Sequence, residues 1–98
     1  MNGQMEIIIR KVRLLKPKDG GKPQTIISYS TGYKESDLER GENLVDAWIK
    51  GDHAFNVLTS EYLNTELSAT FNLVERYDGN LRRELTDIFD EDGSSLLN

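Results

Sequence analysis

Residues 5–33 read MEIIIRKVRLLKPKDGGKPQTIISYSTGY, and their reading decides the fold. Met5 to Leu15 is rich in Ile, Val and Leu, and Gln24 to Tyr33 in Thr, Ile, Ser and Tyr. Both prolines of the chain lie between these runs, at 17 and 23, together with Asp19-Gly20. β-Branched and aromatic side chains suit a pleated, extended backbone. Proline has no N–H with which to continue a ladder, and glycine supplies the positive φ of a tight turn. Two extended runs around one such turn predict a β-hairpin.

The segments downstream are read against that hairpin. Residues 34–43 (KESDLERGEN) are almost wholly polar and predict a loop or one helical turn, with Ser36 or Asp37 as its cap. Leu44 to Lys50 is short and apolar and closes on Gly51-Asp52, a length that favours a strand over a helix. From His53 to Asn64 the order of Ala54, Phe55, Val57, Leu58, Tyr62 and Leu63 predicts a short helix or two turns. The clearest alternation follows: Leu67, Ala69, Phe71 and Leu73 interleave with Glu66, Ser68, Thr70 and Asn72, giving one buried and one wet face. Val74 and Tyr77 extend this strand to a turn at Tyr77-Asp78-Gly79-Asn80.

Leu81, Leu85, Ile88 and Phe89 fit a helical stripe capped by Asn80, and equally a last strand. Asp92-Gly93 followed by Ser94-Ser95-Leu96-Leu97 reads as a tight turn into a short closing strand, which favours the strand. The pattern as a whole predicts an all-β fold, a small five- to six-stranded OB-like barrel with a short helical insertion. An α+β arrangement with a C-terminal helix is the alternative. No repeat, low-complexity tract or linker interrupts residues 1–98, so a single domain is expected.

Composition excludes several classes. With 37% hydrophobic and 30% charged residues the chain has the balance of an ordered domain. It has no cysteine, hence no disulfide, thiol nucleophile or Cys-based zinc site, and a cytoplasmic setting is expected. The isoleucine run before Arg10 is too short for a signal peptide or membrane span, so no membrane partner is expected. The single histidine, His53, has no neighbouring His to complete a metal pair, and no serine sits in a nucleophile elbow. Asp90-Glu91-Asp92-Gly93 lacks the alternating spacing and later Glu of a calcium loop, and Gly20-Gly21-Lys22 lacks that of a phosphate-binding loop. Neither enzymatic activity, nor a cofactor, nor a metal is expected.

The net charge of −5 conceals an asymmetry. Residues 1–35 carry seven Lys/Arg against three Asp/Glu, and residues 36–98 carry five against fourteen, so the two parts stand at +4 and −9. Six cations, Arg10, Lys11, Arg13, Lys16, Lys18 and Lys22, fall on the first hairpin, with Tyr29 and Tyr33 on its second run. Cations track a phosphate backbone and exposed aromatic rings stack on unpaired bases, the combination used by single-strand-binding grooves. Tyr29 and Tyr33, four residues apart, are expected on the same face of a strand. The competing reading makes the cations solubilising groups of an edge hairpin and the tyrosines cross-strand packing. Trp48, amid Val45, Ala47 and Ile49, is expected in the core.

The segment Gly21-Lys22-Pro23-Gln24-Thr25, preceded by Arg10 to Lys16 and followed by Tyr29 and Tyr33, resembles the first hairpin of the small helix-destabilising, single-stranded-DNA-binding proteins of filamentous phages. The resemblance covers about a third of the chain, and the acidic residues 36–98 depart from the family's pattern. It implies a homodimeric all-β barrel, encoded by a phage, plasmid or other mobile element, that shelters single-stranded DNA. The alternative from another class is a small acidic inhibitor or adaptor of another protein, whose carboxylates over residues 61–92, Glu84, Asp87, Asp90 and Asp92 among them, imitate phosphates and occupy the basic channel of a protein partner such as a nuclease. The two make opposite electrostatic demands on the chain.

Overall fold

The computed structural model describes residues 2–98. Five strands, β1 (Asn2–Leu15), β2 (Gln24–Glu35), β3 (Arg40–Lys50), β4 (Glu66–Glu75) and β5 (Leu81–Phe89), form one antiparallel sheet in the order β3-β2-β1-β4-β5. A five-residue helix, α1 (His53–Val57), and a 3-10 turn (Ser60–Tyr62) connect β3 to β4. The all-β expectation therefore holds, and residues 81–89 take the strand rather than the helical alternative. Their stripe of Leu81, Leu85 and Ile88 fits both periods; ladder partners on β4, from Ser68↔Phe89 to Glu75↔Leu81, select the extended form.

The hairpin over residues 5–33 forms as expected, with Val12 opposite Ile27 and Leu15 opposite Gln24. β1 also serves a second neighbour, since residues Asn2 to Ile8 pair with β4. Between these two tasks the register slips: Ile9 faces Tyr29 while Lys11 faces Ser28, which leaves Arg10 as the extra residue of a bulge. Bulges bend a strand and increase its twist.

The expected polar loop at 34–43 is mostly strand. β2 runs to Glu35 and β3 begins at Arg40, so only residues 36–39 turn, closed by Ser36 N donating to the Glu39 carbonyl at 2.7 Å. Hydrophobic alternation gives no hint of this ribbon because polar cross-strand contacts hold it, including Lys34–Glu39 at 3.6 Å and Arg40–Glu35 at 3.4 Å.

One face of the sheet carries the core: Ile7, Ile9, Ile27, Tyr29, Leu67, Ala69, Phe71, Leu85 and Ile88, joined by Ala54 and Leu58 from the α1 region. β2 and β4 flank β1, and at roughly 4.8 Å per strand a flat sheet would hold them about 10 Å apart. The Tyr29 and Phe71 rings lean together over β1, with centroids 6.0 Å apart and planes at 47°, and the two edge strands β3 and β5 line one cleft, which four strand spacings would keep well apart in a flat sheet, so the sheet is curved.

Residues 94–98 are fastened back on β5 by the Asp87 carboxylate together with Leu96 N, which donates to the Ile88 carbonyl at 2.8 Å. Asp87 is buried and accepts from Ser95 Oγ at 2.7 and 2.9 Å, from Ile88 N at 2.8 Å and from Leu97 N at 3.2 Å. Burial alone would raise its pKa, but the hydrogen bonds from Ser95, Asn98, Ile88 and Leu97 outweigh it, and the carboxyl titrates below its ordinary 3.8.

Phe71→Ala should cost about 3–5 kcal/mol in urea unfolding, the range for emptying a buried aromatic site. Asp87→Asn should cost about 1–3 kcal/mol at pH 7, because it weakens acceptance from several donors at once. The folded-state pKa of Asp87 is depressed, so its contribution is fully present above the unfolded-state value and is lost as pH falls through the folded-state value. Thermal midpoints of wild type and Asp87→Asn should therefore differ at neutral pH and converge in acid below the ordinary carboxyl range.

Candidate nucleic-acid interface

Strand pairing assigns every β-residue to the inner or the outer side of the curl. Ile27 and Tyr29 are inner, so their β3 partners Ala47 and Val45 are inner, while Trp48 opposite Ile26, Asp46 opposite Ser28 and Leu44 opposite Ser30 are outer. Tyr29 is 3% exposed and Tyr33 69% exposed. They do not share a face, contrary to the spacing argument, because the β2–β3 register slips between Ser30 and Tyr33. Gly32 lies within that slip at φ 121°, a conformation glycine reaches without the steric cost of a Cβ. Tyr29 is thus a core residue rather than a stacking platform. Burial pushes its hydroxyl above the ordinary 10.0, and the nearby Arg83 guanidinium offsets part of that rise.

The six hairpin cations divide into two kinds. Arg10 bonds Asn64 Oδ1 at 2.8 Å and pairs with Glu42, and Arg13 lies 3.6 Å from Asp46, which also accepts from Ser28 Oγ at 2.6 Å. Lys11, Lys16, Lys18 and Lys22 are exposed and have no acidic partner among the described residues. The turn bearing Lys18 and Lys22 is tied to the end of β3, since Gly51 N donates to the Pro23 carbonyl and Thr25 Oγ1 to the Gly51 carbonyl, both at 2.9 Å.

Trp48 is 60% exposed, which corrects its expected place in the core. A run of apolar residues on an edge strand still alternates between two sides, and Ala47 and Ile49 take the inner one. Trp48 instead stands on the rim of a cleft of about 360 Å³ between β3 and β5, the two edges of the sheet. The cleft has Tyr29 and Leu85 in its floor, and Asp46, Arg82, Arg83 and Glu84 around it. Arg83 lies on the inner side, with Nη1 3.5 Å from Met5 Sδ, and Arg82 opposite Val74 lies one residue from it. Arg76 and the fully exposed Tyr77 follow at the β4–β5 turn.

Arg76, Arg82 and Arg83 have no acidic partner among the described residues, and the sequence reading overlooked them. They lie in the part of the chain whose summed charge is acidic, and summation hides a local cluster. The signal that finds them is the Arg82-Arg83 pair immediately after the Tyr77–Asn80 turn. The acids Glu61, Asp90, Glu91 and Asp92 gather instead at a different cleft of about 310 Å³ beside Tyr62. Among the described residues no three His, Asp or Glu side chains are placed to hold a metal ion, and no helix is long and apolar enough to cross a membrane.

No protein-family model, no curated protein and no solved structure matches the chain.

Since Trp48 is the only tryptophan, its fluorescence reports this rim directly. Acrylamide should quench most of the emission of the folded protein, and Trp48→Ala should change urea stability by no more than about 0.5 kcal/mol, as expected for an exposed position.

Proposed function

We propose that this protein is a non-enzymatic, single-stranded nucleic-acid-binding protein built on an OB-like barrel, of the kind carried by phages, plasmids and other mobile elements and acting in the cytoplasm. The reading is supported first by topology. The order β3-β2-β1-β4-β5, with the helical insertion between β3 and β4 and with β3 and β5 on either side of one cleft, is compatible with a five-stranded barrel left open at one seam. Barrels of this type bind oligonucleotides on the face of strands 2 and 3, flanked by the loops joining strands 1–2 and 4–5.

The side chains at those positions suit that task. The loop between β1 and β2 carries Lys16, Lys18 and Lys22, the turn between β4 and β5 is flanked by Arg76 and carries Tyr77, and β3 carries Trp48. The observation that carries the reading is an exposed tryptophan beside two arginines free of acidic partners, Arg82 and Arg83, on the rim of the open seam. An indole there stacks on a base, and the guanidiniums neutralise the phosphates on either side. Of the residues expected from the sequence, Lys11, Lys16, Lys18, Lys22 and Tyr33 remain available to a strand. Arg10 and Arg13 would have to exchange Glu42 and Asp46 for phosphate.

The phosphate-mimicking inhibitor finds less support. Of the four carboxylates named for it, Asp87 is consumed in fastening residues 95–98, and Asp90 accepts from Asp92 N and Ser94 N within its own turn, both at 2.9 Å.

In fluorescence anisotropy a labelled thirty-nucleotide oligo-dT should bind saturably, with affinity falling steeply as salt rises. Trp48→Ala should weaken binding roughly 5- to 150-fold, the equivalent of about 1–3 kcal/mol for one stacked base. Arg82→Ala combined with Arg83→Ala should weaken it and flatten the salt dependence, while Arg13→Ala should have a smaller effect. No binding at tens of micromolar protein in low salt would refute the proposal, and capture of a basic protein partner would become the reading to test.

A further inference from the structure

We infer, on the basis of the single-strand reading above, that the cleft between β3 and β5 prefers guanine over the other bases and that Glu84 is the residue that reads it. A groove that only neutralises phosphate has no use for a carboxylate, yet two line this cleft, Asp46 and Glu84. Asp46 is accounted for by Ser28 Oγ and Arg13. Glu84 is exposed and, among the described residues, neither accepts a hydrogen bond nor pairs with a cation.

The placement of Glu84 suits a base rather than a phosphate. On β5, Leu85 opposite Phe71 points inward, so Glu84 opposite Asn72 points outward, as Trp48 does on the facing edge. The two side chains thus stand on opposite rims of the same opening. At about 360 Å³ the cleft is near the small end of ligand sites, roughly 300–1,000 Å³. A base stacked on the Trp48 indole would direct its hydrogen-bonding edge across the seam towards Glu84.

An ionised carboxylate only accepts hydrogen bonds, and does so through two oxygens at once. Guanine offers two adjacent donors on its Watson–Crick edge, N1–H and the N2 amino group, which match those oxygens in parallel. Cytosine and adenine each offer one amino group beside a bare acceptor nitrogen, and thymine or uracil one N–H between two carbonyls. Unpaired bases are read on this edge by single-strand-binding proteins. The remaining cations keep their backbone role, with Arg82 and Arg83 at the seam and the 16–23 lysines beyond it.

The carboxylate has opposite effects on two kinds of strand: it attracts guanine and repels the phosphates of any strand without one. Anisotropy competition would compare a nonamer of dT with the same nonamer bearing one central guanine, hypoxanthine, adenine or cytosine. The expected order is guanine first by about fivefold over dT, the low end for a bidentate base contact, and hypoxanthine, which lacks the N2 amino group, intermediate. Glu84→Gln should abolish the preference and bind the all-dT nonamer more tightly than wild type. Equal binding of all five nonamers, or a preference that survives Glu84→Gln, overturns the inference while leaving the single-strand reading intact. Failure to bind any nonamer overturns both. Competition by free dGMP as strong as that by the guanine nonamer overturns the assignment to a strand, since a mononucleotide site needs no flanking cations.

Discussion

The molecule depends on one strand serving two partners at an angle. β1 gives residues Asn2 to Ile8 to β4 and Ile8 to Leu15 to β2, and the bulge at Arg10 lets its two halves diverge without breaking either ladder. From that bend follows the curl, because strands on either side of β1 swing towards each other. Tyr29 and Phe71 pack against each other over β1 on its inner side. From the curl follows the cleft, since it carries the outermost strands β3 and β5 round to face each other. Arg10 is itself held by Glu42 on β3 and by Asn64, which sits just ahead of β4, so its side chain ties together the elements that its backbone separates. Asn64 has φ 59°, a left-handed conformation asparagine tolerates better than most residues, and its N–H donates to the Ile9 carbonyl at 2.8 Å.

The same geometry separates charges that the net value of −5 conceals. Screening limits the reach of exposed charges to about 8–10 Å at ordinary salt, so a ligand responds to the groups lining its path rather than to the net charge. Folding spends the acids Glu42 and Asp46 on Arg10 and Arg13, and Asp87 on residues 95–98, and it gathers Glu61, Asp90, Glu91 and Asp92 at a cleft of their own. Arg82 and Arg83, drawn from the acidic part of the sequence, line the cleft beside β3, with Arg76 at the adjoining β4–β5 turn. Net charge counted along the chain therefore misplaces both signs.

How much could be read in advance depended on what kind of interaction holds each element. The hairpin over 5–33, the short helical insertion and the strand at 66–75 were legible because period-two alternation and Pro/Gly turns report burial directly. The β2–β3 ribbon beyond Ser30 was not, since Lys34, Glu35, Glu39 and Arg40 hold it by charge, and no hydrophobic period marks such a strand. The candidate site was legible in its residue types and less so in its residues. The lysines of the 16–23 turn, named from the sequence, lie exposed. Tyr29 and Tyr33 part because a slip of one residue at Gly32 exchanges the two faces of the strand beyond it. Trp48 was misplaced because its neighbours Ala47 and Ile49 are apolar, whereas alternation on an edge strand sends every second side chain outward whatever its neighbours are.

The seam itself poses a problem that its side chains answer. β3 and β5 each present unpaired backbone N–H and C=O groups, and an exposed sheet edge invites another strand to pair with it. Charged and inward-pointing ionic residues are the usual protection. Here Asp46 and Lys50 stand on one edge and Arg82 and Glu84 on the other, while Arg83 leans inward over Met5 and Tyr29. A peptide strand entering the gap would have to bury these groups, and burying an ionised side chain without a matched partner costs several kcal/mol. On the proposed reading a nucleotide would impose no such penalty, since its phosphates would stay at the solvent edge beside the arginines and its base would meet the indole face. The charges along the seam thus guard both open edges against another strand.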